Sequence, residues 1–226
     1  MEFEIAVVNP KLPVGWLEVN LPKSVMERLQ GYVEIGEETS VNHNAQLAGN
    51  ISKSLLIKDK DKWFFKNIIN PLIGKFIELY PLYQDSINVI TESAPYCLDG
   101  FWVNFQKEYE FNPFHNHSGI WSFVVWVKIP TDWREQHALS FSANSNIPLA
   151  SDFEFLFPTI LGDITRRSYQ LDQKSEGCML FFPAKLKHAV YPFYNCDKER
   201  VSISGNIKID ISENSMKELR SNGNCR

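Results

Sequence analysis

Long apolar runs are missing from this sequence. The longest, Phe123 to Val127, falls far short of the roughly 20 residues that a membrane-spanning helix needs. Basic charge is scarce as well. Lys and Arg number 23 against 27 Asp and Glu, a net charge of -4, so no basic face is expected for nucleic acid. Cysteine is sparse too: Cys97, Cys178, Cys196 and Cys225 lie far apart with no Cys-x-x-Cys pair. That excludes a disulfide framework and predicts free thiols in a reducing compartment. The sequence has no internal repeat, low-complexity tract or Gly/Ser linker. The start, Met1-Glu2-Phe3-Glu4-Ile5, is acidic and alternating, unlike the basic-then-apolar secretory signal. These absences predict a soluble, cytoplasmic, single-domain protein over 1–226. Residues 1–94 are expected to supply N-terminal strands and supporting helices, 95–211 a β core, and 212–226 a tail.

Aromatic residues are plentiful: 16 Phe, 8 Tyr and 6 Trp. Residues 2–8 and 14–20 read as strands bounded by prolines. From Pro22 to Glu34, Val25, Met26, Leu29 and Val33 recur at helical spacing, with Pro22 suited to a first turn. Residues 36–54 are polar and turn-rich. A second helical stripe runs over 61–80, with Asp61 as its expected cap and Pro71 as the point that kinks or divides it. After Pro95 the pattern changes to short β-branched or aromatic runs at 101–109, 121–129, 153–157, 167–171, 178–182, 189–193 and 201–209. Turn signals such as Asp99-Gly100, Ser118-Gly119 and Glu176-Gly177 separate many of them. Helices followed by many short strands predict a mainly β (α+β) fold, a sandwich or barrel backed by N-terminal helices.

The chemistry concentrates in three histidines. Alternate residues of an extended strand point to one side, so His115 and His117 can reach one metal from a strand end. His188 follows the apolar run Cys178 to Pro183. Imidazole suits iron, zinc, copper and nickel, and three such ligands leave positions free for other molecules. A His-x-His pair between Asn112-Pro113 and Ser118-Gly119 is equally an ordinary exposed loop, and the later His188 segment favours the metal reading. Beyond it, Arg200, Ser202 and Ser204 share one strand face and can clamp a carboxylate through charge-assisted bonds. His43 and His137 read as surface residues, as does the Arg166-Arg167 pair. Residues 131–151 read as an insertion near a pocket mouth, a place where selectivity is often set.

Several stretches resemble the 2-oxoglutarate- and Fe(II)-dependent oxygenases. They are Asp99 to Asn104, Phe114-His115-Asn116-His117-Ser118-Gly119, Ser122 to Pro130, Glu176 to Pro183, His188-Ala189-Val190 and Arg200 to Asn206. Within that family the look is that of the oxygenase branch found in bacteria and phages, and Leu47-Ala48-Gly49-Asn50-Ile51 shares it more weakly. The resemblance spans 95–209 and implies a double-stranded β-helix, or jelly roll, holding Fe(II) and 2-oxoglutarate. It implies His115, His117 and His188 as metal ligands, Arg200 with Ser202 on the distal carboxylate, and Asn104, Ser122 and Trp126 lining the cosubstrate pocket. The implied reaction couples decarboxylation of 2-oxoglutarate by O2, giving succinate and CO2, to hydroxylation of a substrate C–H. A peptide or small polar molecule is the substrate expected.

One departure stands out. The family pattern is His-x-Asp or His-x-Glu, and here the carboxylate position is His117. Either three neutral imidazoles hold the metal, or His117 turns away; three ligands is the favoured reading. Two other readings of the same residues stay open: a three-histidine zinc enzyme, and a non-catalytic jelly-roll binding module. The sequence says nothing about oligomeric state.

Overall fold

The computed structural model describes residues 14–87 and 95–211; the strand expected at 2–8 and the tail at 212–226 lie outside them. A short strand β1 (Leu17–Asn20) leads into α1 (Lys23–Thr39), whose buried residues Val25, Leu29, Tyr32, Val33 and Gly36 form one face. The helix runs past its expected end and stops at Ser40, which adopts φ 50° while its N–H still reaches the Gly36 carbonyl. Residues 36–54 are therefore only partly loop. They hold the last turn of α1 and the start of β2 (Lys53–Leu56). This strand is short and lies at a sheet edge, which explains why no alternating pattern marks it.

The second helical stripe begins differently from expectation. Asp61 sits at φ 58° within a tight turn. The cap is Asp59, whose carboxylate accepts from the Phe64 and Phe65 N–H groups at 2.8 Å each. A widened turn, Phe65–Ile69, then passes into α2 (Asn70–Leu79) with Pro71 in its first turn, where a missing N–H costs nothing. A short α3 (Tyr83–Ser86) follows.

The remaining strands are β3 (Tyr96–Gln106), β4 (Asn112–His115), β5 (Trp121–Lys128), β6 (Phe153–Pro158), β7 (Ile164–Tyr169), β8 (Cys178–Pro183), β9 (Lys187–Val190) and β10 (Arg200–Ile209), with α4 (Trp133–His137) between β5 and β6. Three differ by several residues from the expected runs at 101–109, 167–171 and 189–193. Asn112-Pro113 leaves a loop open as the alternative to a strand end at His115, and the strand end is what forms. β4 is an edge strand, the position in a sheet where a residue without an N–H is tolerated.

The sheets order as β1-β8-β5-β10-β3-β2 and β4-β9-β6-β7, and every pairing is antiparallel. Strands β3 to β10 thus divide four and four between two sheets, the jelly-roll arrangement that the sequence predicted. Parity along the large sheet separates two cores. Phe101, Val103, Phe123, Val125, Met179, Phe181 and Ile203 face α1 and α2, while Val124, Trp126, Leu180 and Phe182 face the small sheet with Phe153 and Phe155. Cys97, Cys178 and Cys196 are free thiols. Among the described residues no helix is long and apolar enough to cross a membrane.

Candidate active site

His115 ends β4 and lies directly opposite His188 on β9. His117 follows two residues later, where its N–H donates to the Ala184 carbonyl at 2.8 Å. The turn beyond it needs Gly119. That residue adopts φ +94°, and an added Cβ would lie 2.5 Å from the Ile207 carbonyl oxygen, which accepts the Ile120 N–H at 2.7 Å. This close approach lets the chain turn back into β5 while both histidines stay at the strand end.

The three imidazoles can offer ligand atoms all within 4.8 Å of one another. His117 Nε2 and His188 Nε2 are 3.1 Å apart, the spacing of neighbouring ligands each about 2.1 Å from a shared ion. Two of the rings are oriented by backbone. His115 Nδ1 donates to the Pro113 carbonyl at 2.7 Å, and His188 Nδ1 donates to the Leu186 carbonyl at 2.9 Å. These bonds place the proton on Nδ1 and leave each Nε2 lone pair free, the outer-partner arrangement of metal-bound histidines. Among the described residues no such bond orients the His117 ring, which rests against Trp102 with ring centres 5.9 Å apart.

Burial pushes the pKa of all three imidazoles down. His117 falls to about 3, mainly through desolvation and then through His115. His188, packed against Phe153 and Phe182, lies well below the ordinary value, and His115 is lowered too. All three are neutral at neutral pH, the form that binds metal. The donor set therefore fits a metal ion.

A cavity of about 450 Å³ surrounds the cluster. Asn104, Gln106, Ser202, Ser204 and Asn206 line its large-sheet side. Ser54 Oγ donates to Asn104 Oδ1 at 2.8 Å, which fixes that amide. Of the expected cosubstrate residues, Asn104 and Ser202 reach the cavity wall; Ser122 and Trp126 do not. Ser122 is buried behind the wall and bonds the Gly205 carbonyl and Asn206 Oδ1, both at 3.0 Å. Trp126 packs on Phe153 inside the barrel.

Arg200 also stands behind the wall, 2% exposed. Its Nη1 donates to Gln106 Oε1 at 3.3 Å, its Nη2 donates to the Ser151 carbonyl at 2.9 Å and to Ser151 Oγ, and its Nε has no partner among the described residues. Phe193 lies under the guanidinium, 5.1 Å from ring centre. Among the described residues no carboxylate comes within 4.0 Å of it. A buried cation in this state is costly unless an anion approaches.

Both histidines read as surface residues are otherwise. His43 lines the cavity and stacks on Trp102 with ring centres 4.9 Å apart. His137 is buried, with Nε2 3.0 Å from Asp152 Oδ1. Residues 131–151 do not border the cavity; the last of them, Ser151, accepts from Arg200. Further lining comes instead from the loop after α1, with Gln46, Leu47, Ala48 and Ile51. Gly49 permits this, because an added Cβ would lie 2.2 Å from the Phe111 carbonyl oxygen. The Leu47-to-Ile51 resemblance was the one sequence signal for that loop.

Fold and cluster together define a class: a jelly-roll protein with three imidazoles placed to hold a metal ion at a cavity of mixed polar and apolar lining. Residues 100–206, a little under half of the chain, match the family described as "Putative 2OG-Fe(II) oxygenase". The family so described is one of oxidoreductases that use Fe(II) and 2-oxoglutarate. No curated protein matches the sequence. Similar solved structures include a prolyl-4-hydroxylase from Pseudomonas putida, at 13% identity over 87% of this chain and 94% of that one, TM-score 0.47. Another is the viral collagen prolyl hydroxylase from Paramecium Bursaria Chlorella virus-1, at 10% identity over 86% and 96%, TM-score 0.45. A third is the non-heme alpha ketoglutarate dependent epimerase SnoN from nogalamycin biosynthesis, at 13% identity over 88% and 79%, TM-score 0.49.

The third ligand position gives a direct test. His117→Asp places the family's carboxylate where an unanchored imidazole now stands, and Fe(II) affinity is expected to equal or exceed that of the wild type. Chelator competition measures it. Weaker binding would mean that the longer reach of the imidazole is required.

Proposed function

We propose that the protein is a hydroxylase acting on a peptide or a small polar molecule, with Fe(II) held by His115, His117 and His188. The observation that carries this reading is the pairing of two backbone-oriented imidazoles with a buried guanidinium that, among the described residues, has no acid within salt-bridge distance. Bound Fe(II) and 2-oxoglutarate supply the oxidising chemistry with O2, and 2-oxoglutarate leaves as succinate and CO2. The chain's own residues bind and orient. Asn104 and Ser202 present polar atoms along the wall between the histidines and Arg200, which takes the distal carboxylate of the cosubstrate. The long Gln106–Arg200 contact is the one a carboxylate would replace, since a charged acceptor forms the stronger bond. Ser122 acts through Asn206, and Trp126 shapes the barrel from behind.

The substrate side is the wall formed by His43, Gln46, Leu47 and Trp102. Among the described residues, and apart from the histidines, the one ionisable side chain on the cavity lining is Asp99, and Lys208 neutralises it at 2.8 Å. An uncharged polar substrate, or an uncharged stretch of a peptide, suits that lining. The reading is tested by anaerobic titration of metal-free protein with Fe(II) and then 2-oxoglutarate. A weak visible charge-transfer band needing both additions is expected. Iron binding with no band would remove the oxygenase reading and favour zinc chemistry or a binding module.

A further inference from the structure

Arg200 is buried at the barrel end in a polar cluster that the metal site does not use. Ser151 accepts from its guanidinium through both carbonyl and hydroxyl. The Ser151 backbone is left-handed at φ 74°, a strained conformation for a side-chain-bearing residue. It is held by its N–H to the Pro192 carbonyl at 2.8 Å and by its hydroxyl 3.1 Å from Thr131 Oγ1. The next residue, Asp152, follows directly on the Ser151 that accepts from Arg200, is 1% exposed, bonds His137 on α4, and is the carboxylate whose charge acts on Arg200.

We propose that Asp152 is the resident counter-ion of Arg200 and weakens the hold of Arg200 on the cosubstrate's distal carboxylate. Buried charge needs compensation, and Asp152 provides it while the subsite holds no anion. An arriving carboxylate then shares one guanidinium with a second negative charge, and the like charges oppose each other in a poorly screened interior. Asp152 is a positioning residue acting through Arg200. The inference rests on the reading of Arg200 as the distal-carboxylate site.

The surroundings support a carboxylate that can change charge. Burial raises the Asp152 pKa to about 6, opposed by His137 and Arg200 and assisted by Glu154 on β6. Tyr191 faces Asp152 and Glu154 from the loop after β9, and Arg166 on β7 lies 3.7 Å from Glu154. Below about pH 6 Asp152 takes up a proton and its opposition to an anion disappears. Above that pH the opposition is complete.

The test compares wild type with Asp152→Asn, which keeps the side-chain shape and a hydrogen bond to His137. Fe(II)-loaded protein is titrated with 2-oxoglutarate under nitrogen, and the charge-transfer band gives the dissociation constant. At pH 7.5 the variant is expected to bind about five- to tenfold more tightly, with the gap closing by pH 5.5. Equal or weaker binding by the variant, or a gap that ignores pH, overturns the proposal. A wild type that shows no band overturns the hydroxylase reading, and this inference with it. Thermal melting supplies an independent arm. Arg200→Met removes an opposing charge and leaves Asp152 with His137 as its partner, so adding Asp152→Asn should recover part of the lost melting temperature. Simple addition of the two losses would show that the charges are not paired.

Discussion

His188→Ala will yield a folded protein that no longer retains Fe(II) and shows no charge-transfer band with 2-oxoglutarate. His188 sits opposite His115 in the β4–β9 register, and its Nδ1 bond to the Leu186 carbonyl aims the free Nε2 at the other imidazoles. Losing an outer hydrogen-bond partner of a metal ligand typically costs 10–100-fold in affinity; removing the ligand itself should cost more. The ring also fills space among Phe153, Phe155 and Phe182, so truncation is expected to destabilise by about 1–3 kcal/mol. His188→Gln separates the two effects, because it refills the space and supplies an amide, a poor iron ligand. Iron content after dialysis and the melting curve are the measurements. Near-stoichiometric iron in either variant would remove His188 from the ligand set.

Arg200→Met will weaken 2-oxoglutarate binding by about 2–5 kcal/mol, roughly 30-fold or more, while Fe(II) affinity stays close to that of the wild type. The separation is expected because Arg200 touches Gln106, Ser151 and Phe193 and none of the three histidines. Stability should fall as well, since the Ser151 carbonyl and Gln106 Oε1 lose a donor; buried groups left unpaired cost about 1–3 kcal/mol each. Arg200→Lys keeps the charge and loses the planar fork, so binding between the two is expected. Unchanged 2-oxoglutarate affinity with a lowered melting temperature would make Arg200 structural. Titration of the Fe(II)-loaded variants under nitrogen gives both answers.

The contrast between these two residues shows where sequence information runs out. His115 and His117 are a local pattern, since the period of an extended chain puts both on one side. The glycine two residues on is equally local. Helix α1 and the apolar faces of β5, β8 and β10 were legible because their periodicity is written in neighbouring residues. Pro113 left the β4 strand ambiguous, and the brief Lys53–Leu56 segment was missed, for the same reason in reverse. Each is an edge strand whose pairing partner lies far along the chain.

Everything decided by strand register needed the tertiary structure. Arg200 meets Gln106 because β10 lies beside β3, and Ser54 meets Asn104 because β2 lies on the other side of β3. His43 reaches the cavity because Gly49 lets its loop press on the backbone before β4. His137 and Asp152, neither marked by a motif, become a buried pair because α4 folds over the barrel end. The sequence by itself determined the chemistry available: a strand-end imidazole pair, a third histidine and an arginine on the last strand. Tertiary structure alone decided that Ser122 and Trp126 stand behind the cavity and His43 on it. The reason is that burial and sheet pairing join residues 50 to 94 positions apart, and no local pattern carries that information.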